Sequence, residues 1–214
     1  MYHDDLRAHL SPAEHRVFKK LRTPSLIQDY LDHSPINFEL AGETNLSPRR
    51  VLREKRMHCL EGAVFAAACL AYHGKEPLLM DLRTQRYDDD HVVALFKENG
   101  LWGAMSKTNH AILRWRDPVY KTVRELAMSY FHEYFLWKNG KKTLRAYSKP
   151  FNLKKYGAGW VTDEKDLDYI SIDLDDSPHF PIAPKNMMRK LRPASLIERK
   201  SLDNEEWHKK GYRN

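Results

Sequence analysis

Residues 59–74 read CLEGAVFAAACLAYHG, and this stretch decides how the rest of the chain must be arranged. It contains one acid, Glu61, no lysine or arginine, and otherwise almost only apolar and small side chains. A helix that is apolar nearly all round is a buried helix, and Gly74 provides the left-handed residue with which many helices end. The stretch therefore predicts a central helix that starts at Cys59 and is covered by other elements.

Three helix starts precede this stretch. Ser11-Pro12, Thr23-Pro24 and Ser47-Pro48 each place a hydroxyl-bearing N-cap residue before a proline at the first helical position. The proline loses no hydrogen bond there, because the first N–H groups of a helix have no partner within the helix. We therefore expect short N-terminal helices that wrap the core.

Apolar runs with the composition of strands follow the central stretch. The segments 76–84, 90–98 and 101–106 are rich in branched or aromatic residues, and Asn99-Gly100 between the last two is a strong hairpin signal. The segment 117–137 then carries apolar residues at helical spacing. The predicted fold class is α+β, with the central helix packed on an antiparallel sheet and helical additions at both ends.

The size and composition of the chain favour one domain. It has 214 residues, of which 42% are hydrophobic and 30% are charged, and a single compact domain commonly has roughly 100–200 residues. We predict one domain over residues 1–176, with its core at 47–137, and a partly ordered C-terminal extension over 177–214.

No segment has the pattern of a membrane span or of a secretion signal. No apolar run approaches the roughly 20 residues that cross a bilayer, and residues 1–10 lack the basic and then apolar order of a signal peptide. The two cysteines, Cys59 and Cys69, are about 15 Å apart if they share one helix, too far for a disulfide. A reducing cytoplasm is therefore the expected location, without membrane contact.

The net positive charge of the chain is compatible with nucleic-acid binding but does not by itself favour it. Lysines and arginines exceed the acids by 36 to 29, a net charge of +7. The segment 138–155 is basic, lacks acids and includes aromatic residues, a combination that suits single strands. No recognition motif accompanies it, so a solvated basic surface is the favoured interpretation.

Cys59 is the residue on which chemistry is predicted. The first turn of a helix favours an anion, because its N–H groups are unpaired and the helix dipole is positive there. A thiolate in that position has a lowered pKa and is the nucleophilic form of cysteine. Arg56 and His58 add positive potential and are candidate substrate-binding residues, whereas Cys69 is expected to be an inert core residue. An ordinary half-buried cysteine at position 59 is the alternative.

His91 is the candidate base, because a residue at the head of a strand can face the start of a helix packed on the same sheet. Ser106 and Asn109 are alternative candidates for the group that orients its ring. Trp102 is a candidate pocket wall. His58, Cys59 and His91 lack the paired spacing of a zinc site, so no metal or other cofactor is predicted.

These residues lie in a recognisable order. The runs RVLREKRMHCLEGAVFAAACLAYHGKEPLLMDL and DDDHVVALFKENGLW resemble the core of the transglutaminase-like superfamily, papain-related cysteine enzymes that include bacterial protease-like members. The family pattern is a cysteine at the start of an Ala-rich helix, a glycine turn, a strand, a histidine on the next strand and a tryptophan on the one after. The residues that follow this order are Cys59, Glu61, Ala63, Gly74, His91, Val92 and Trp102. Ser106 stands where the family keeps an aspartate.

The resemblance implies a papain/transglutaminase-like core and an acyl-transfer reaction. Cys59 would attack a peptide or amide carbonyl to give a thioester, and His91 would move the proton, with Asn109 or Ser106 fixing the ring. Water as the acceptor gives a protease or deamidase, and an amine gives a cross-linking enzyme. The alternatives are a catalytically degenerate domain of this type that binds protein or peptide, and a basic nucleic-acid-binding module.

Overall fold

The central helix of the computed structural model begins at Cys59 and ends at Tyr72, as predicted, and the structure describes residues 1–204 and 206. Every residue from Leu60 to Tyr72 is buried. Gly74, two residues after the last helical residue, has a φ of +78°, and the N–H of Lys75 donates to the Leu70 carbonyl at 2.9 Å, which closes the helix end. In the described part of the chain the helices are α1 (Tyr2–Ala8), α2 (Pro12–Lys20), α3 (Pro24–His33), α4 (Pro48–Glu54), α5 (Cys59–Tyr72), α6 (Val123–Tyr130), α7 (Asp168–Asp175), α8 (Lys185–Met188) and α9 (Leu196–Arg199).

The three proline-initiated helices are confirmed. The side chains of Ser11, Thr23 and Ser47 accept hydrogen bonds from the N–H groups three residues further on, which caps α2, α3 and α4. Their buried faces contact α5 directly. The N-terminal third of the chain therefore covers the central helix, as its apolar surface requires.

One antiparallel sheet lies on the other side of α5. Its strands are β1 (Leu78–Arg83), β2 (His91–Glu98), β3 (Leu101–Met105), β4 (Arg116–Tyr120), β5 (Ala146–Ser148), β6 (Phe151–Asn152) and β7 (His179–Pro181). Their order is β4-β3-β2-β1-β5-β7, with β6 also paired to β1. The predicted α+β class and the first three predicted strands are confirmed, and Asn99 and Gly100 form the hairpin turn with φ values of +49° and +81°.

The sheet separates two apolar layers, because successive side chains of a strand point to opposite faces. On β2, Val92, Ala94 and Phe96 pack in the cluster that contains α5, whereas Val93 and Leu95 pack in the cluster that contains α6. None of the described helices is long and apolar enough to span a membrane.

The helix predicted over 117–137 is wrong at both ends. Residues Arg116–Tyr120 form an edge strand on which Val119 is 62% exposed, and the helix covers only Val123–Tyr130. The Thr122 side chain accepts from the Glu125 N–H at 3.1 Å and starts the helix there. An edge strand also tolerates Pro118, which has no N–H to donate.

The sheet continues beyond the predicted domain end at residue 176. Strand β7 pairs with β5, and the neighbouring Ile182 is fully buried. The first part of the predicted extension 177–214 is therefore part of the folded domain. Of the extension, residues 205 and 207–214 lie outside the described residues.

A close approach at Gly62 sets the distance between α5 and the end of β3. A Cβ atom added to Gly62 would lie 2.4 Å from Lys107 Cβ, on the segment that follows Ser106. We expect Gly62→Ala to lower the free energy of unfolding by about 1–3 kcal/mol through overpacking, despite the better helix propensity of alanine. Urea unfolding measures the change. Gly159→Ala is the control, because its added Cβ meets no atom within 4 Å; equal stability of the two variants would contradict the close approach.

Candidate active site

Cys59 lies at the first position of α5 and is only partly buried. The residue before it, His58, has an extended backbone and is the N-cap, so the helix cannot start earlier. The sulfur therefore lies beside the unpaired N–H groups of the first helical turn, at the wall of a large cavity.

His91 is the first residue of β2 and is 6% exposed. Its Nε2 atom lies 2.5 Å from Ser106 Oγ, and its ring lies close enough to the Cys59 sulfur to lower the pKa of that thiol against the effect of burial. Because Nε2 is engaged by Ser106, Nδ1 is the ring nitrogen left for the sulfur. The structure thus brings Cys59, His91 and Ser106 together in one connected arrangement.

Ser106 is fully buried and is held through its backbone by Gln28 of α3. The Ser106 N–H donates to Gln28 Oε1 at 2.9 Å, and Gln28 Nε2 donates to the Ser106 carbonyl at 3.0 Å. Gln28 was not among the predicted site residues. Its signal in the sequence was a single amide among the apolar residues of α3, which does not specify a partner 78 residues away.

Asn109, the other candidate for orienting His91, has a different position. It lines the cavity, and its carbonyl accepts a hydrogen bond from the Glu206 N–H at 2.8 Å. Among the described hydrogen bonds, none joins its side chain to His91. The site therefore contains Ser106 at the ring and Asn109 at the cavity wall.

The structure does not support the predicted role of Arg56 and Trp102 in substrate binding, because neither residue lines the cavity. Arg56 pairs with Glu54 at 3.1 Å. Trp102 lies on β3 with Lys97 Nζ 4.2 Å from its ring centre and packs with the α6 cluster. Both residues are near the site in sequence, but tertiary contacts turn them away from it. His58, the third predicted substrate-binding residue, does line the cavity.

Two imidazole rings, those of His58 and His91, act on the pKa of Cys59. Burial alone would raise the pKa of the Cys59 thiol, but hydrogen bonds from His58 and His91 and the positive charge of both rings lower it to about 5. Cys59 is therefore a thiolate at neutral pH. Cys69 is fully buried in α5, and burial holds the pKa of its thiol well above the ordinary value.

The cavity beside Cys59 has a volume of about 1150 Å³ and an acidic wall. Lys107 also lines the cavity, and its Nζ donates to the backbone carbonyls of Leu31 and Ser34 at 2.9 and 2.5 Å. Lys138 also lines the cavity. The carboxylates on the wall are Glu39, Glu43, Asp81, Asp88, Asp89, Asp90, Glu133 and Asp175.

Three of these carboxylates, on Asp81, Asp90 and Asp175, have oxygens within 4.8 Å of one another. Carboxylate oxygens of this kind are ligands for hard cations. All three already have partners: His179 Nε2 lies 2.8 Å from Asp81 and Arg83 Nη2 lies 2.8 Å from Asp175. The Thr84 N–H and hydroxyl donate to Asp90 at 2.6 and 3.0 Å. The cluster is thus partly neutralised by the protein itself.

No protein-family model matches the chain, and the search of curated proteins finds no match. The chemistry of the site is therefore derived from its own geometry.

The lowered pKa of Cys59 predicts its reactivity. We expect iodoacetamide to alkylate Cys59 with a midpoint near pH 5, because the thiolate rather than the thiol reacts and the two imidazoles stabilise it. Peptide mass spectrometry at each pH measures the rate. Cys69 is the internal control and should stay unmodified in the folded protein; a Cys59 midpoint at the value of a free thiol, about 8.5, would contradict the assigned geometry.

Proposed function

We propose that this protein is a cysteine-dependent acyl-transfer enzyme that acts on peptide or amide bonds through a thioester. The observation that carries the proposal is the placement of Cys59 at a helix start and at the cavity wall, together with a strand histidine at the same cavity whose ring Ser106 holds. Nucleophile, base and orienting group are the three parts that covalent acyl transfer needs.

The order of bond changes follows from these positions. The Cys59 sulfur attacks the carbonyl carbon, a C–S bond forms, and the π electrons move to the oxygen. Collapse of this intermediate breaks the C–N bond as the His91 imidazolium donates its proton to the leaving nitrogen. His91 then takes a proton from the acceptor, water or an amine, whose attack breaks the C–S bond and restores the thiolate. N–H groups of the first turn of α5 stabilise the oxyanion.

The arrangement of elements supports a papain/transglutaminase-like core as part of this proposal. A cysteine-bearing helix packs on an antiparallel sheet in which β2 begins with the histidine and its orienting residue, Ser106, directly follows β3. Ser106 replaces the aspartate of that family. A hydroxyl can fix the ring orientation by accepting the Nε2 proton, but it adds no charge to stabilise the imidazolium.

The neutral Ser106 favours a second candidate function, a degenerate domain of this type that binds peptide without turnover. This candidate predicts a reactive Cys59 but no acyl transfer. Because Gln28 holds Ser106 through two hydrogen bonds and Ser106 in turn holds the His91 ring, a positioned base is present and the catalytic proposal has the stronger support.

The acidic cavity narrows the substrate class. Carboxylates on its wall attract a segment that carries lysine or arginine and repel acidic groups, including the phosphates of nucleic acids. The Asp81 and Asp88 carboxyls have raised pKa values because they are buried, so both would gain from a cation that enters the cavity. We therefore favour basic polypeptide substrates over nucleic acids.

Trapping of the thioester tests the proposed reaction. Hydroxylamine captures an acyl-enzyme as a hydroxamate, so the wild type incubated with glutamine-containing peptides should release peptidyl hydroxamates. Cys59→Ala should release none, and His91→Ala should be slower by about 10²–10⁴-fold. Cys69→Ala is the matched control and should retain the wild-type rate. Loss with Cys69→Ala as well, or equal rates for all four proteins, would contradict the assignment.

The same assay separates the alternatives. Peptides with lysine or arginine beside the glutamine should react faster than acidic peptides, and added salt should reduce the difference. No hydroxamate from any peptide, together with tight binding of basic peptides, would favour the degenerate binding domain instead.

A further inference from the structure

Glu61 lies beneath the site as a buried, ionised carboxylate. Its side chain is fully buried, and four donors surround it besides the His58 ring. They are the N–H of His58 at 2.9 Å, the N–H of Leu46 at 3.0 Å, Thr44 Oγ1 at 2.8 Å and Asn37 Nδ2 at 3.1 Å. A carboxylate only accepts hydrogen bonds, so this set of donors matches the charged form.

This carboxylate faces the His58 ring, whose Nε2 atom lies 3.3 Å from Glu61 Oε1 and 2.8 Å from the Thr44 carbonyl. A carbonyl can only accept, so Nε2 carries a proton. Glu39 adds a second carboxylate at 3.8 Å from the same nitrogen. Because Nε2 is engaged on that side, Nδ1 is the ring nitrogen left for the neighbouring Cys59, whose thiol pKa this ring lowers against the effect of burial.

His58 and His91 therefore have unlike partners around the same sulfur. His58 contacts the buried carboxylate of Glu61, whereas the described side-chain partner of His91 beyond Cys59 is the neutral hydroxyl of Ser106. Burial opposes a charge on His58, but its hydrogen bonds to Cys59 and Glu61 outweigh this and raise its pKa to about 11.

We propose that His58 is a permanent imidazolium, held charged by Glu61, which stabilises the Cys59 thiolate throughout the cycle, while His91 alone exchanges protons with the substrate. The proposal rests on the acyl-transfer function proposed above. It assigns His58 an electrostatic catalytic role at the sulfur and Glu61 a positioning role behind it. The thiolate that leaves when the C–S bond breaks then returns to a site where a cation is already present, and His58 neither gains nor loses a proton.

Nitrogen NMR of the histidine side chains tests the charge on His58 in the wild type without any substrate. Between about pH 5 and 8, His58 should retain imidazolium shifts, whereas an ordinary histidine titrates in this range. His58→Asn identifies the resonance by its loss. A neutral His58 spectrum near pH 8 would overturn the proposal, whatever any variant does.

Variants then connect this charge to the sulfur. Glu61→Gln keeps the size of the side chain but removes its charge, and should raise the alkylation midpoint of Cys59 by about one pH unit or more. It should also bring the titration of His58 into the observed range. Glu39→Gln is the matched control, because it removes a partly exposed carboxylate from the same ring nitrogen, and it should change the midpoint much less.

The outcomes separate this inference from the proposed function. A wild-type midpoint near pH 5 that Glu61→Gln and His58→Asn leave unchanged would overturn the role of His58 and leave acyl transfer intact. A wild-type Cys59 that titrates as a free thiol would overturn both. If Glu61→Gln does not fold, the wild-type spectrum decides.

Discussion

The candidate site depends on one physical constraint, the compensation of charge around the Cys59 sulfur. Cys59 lies where a helix start and the rings of His58 and His91 lower its pKa, and the buried carboxylate of Glu61 lies behind one of these rings. Each of these groups would be costly to bury alone. Together they compensate one another, because every charge has a hydrogen-bonded partner of opposite sign or a suitable dipole.

The packing of the fold fixes the distances between Cys59 and the residues around it. Helix α5 is buried on all sides, so its first residue cannot shift without disturbing the packing of the whole N-terminal third. The absent side chain at Gly62 lets α5 approach the segment after β3, and Gln28 holds Ser106 at the end of that strand. The orientation of His91 therefore depends on α3 and β3 as well as on its own strand.

Local patterns predicted a large part of the fold and the main pair of the site. The uncharged run at 59–74, the proline-initiated helix starts and Asn99-Gly100 each act within a few residues, so the sequence shows them directly. The prediction of one helix over 117–137 is wrong, because the apolar residues of an edge strand and of a short capped helix together have the spacing of one longer helix. The position of β7 also depends on pairing with the distant β5, which no local pattern specifies.

The wall of the site was harder to predict than its centre. Cys59 and His91 follow from their positions at element starts, but cavity membership is a tertiary property, and Arg56 and Trp102 lie outside it despite their closeness in sequence. Gln28 and the buried network around Glu61 join residues that are far apart in the chain. Glu61 also supports the helix start, because its carboxylate accepts a hydrogen bond from the His58 N–H.

The most direct test of the account is the ionisation of Cys59 itself. The ultraviolet absorbance of the thiolate, taken as the difference between the wild type and Cys59→Ala over an acid-to-alkaline titration, reports the charge on this sulfur alone. The account predicts a transition near pH 5, with the thiolate fully formed at neutral pH. A transition at the value of a free thiol, about 8.5, would contradict it.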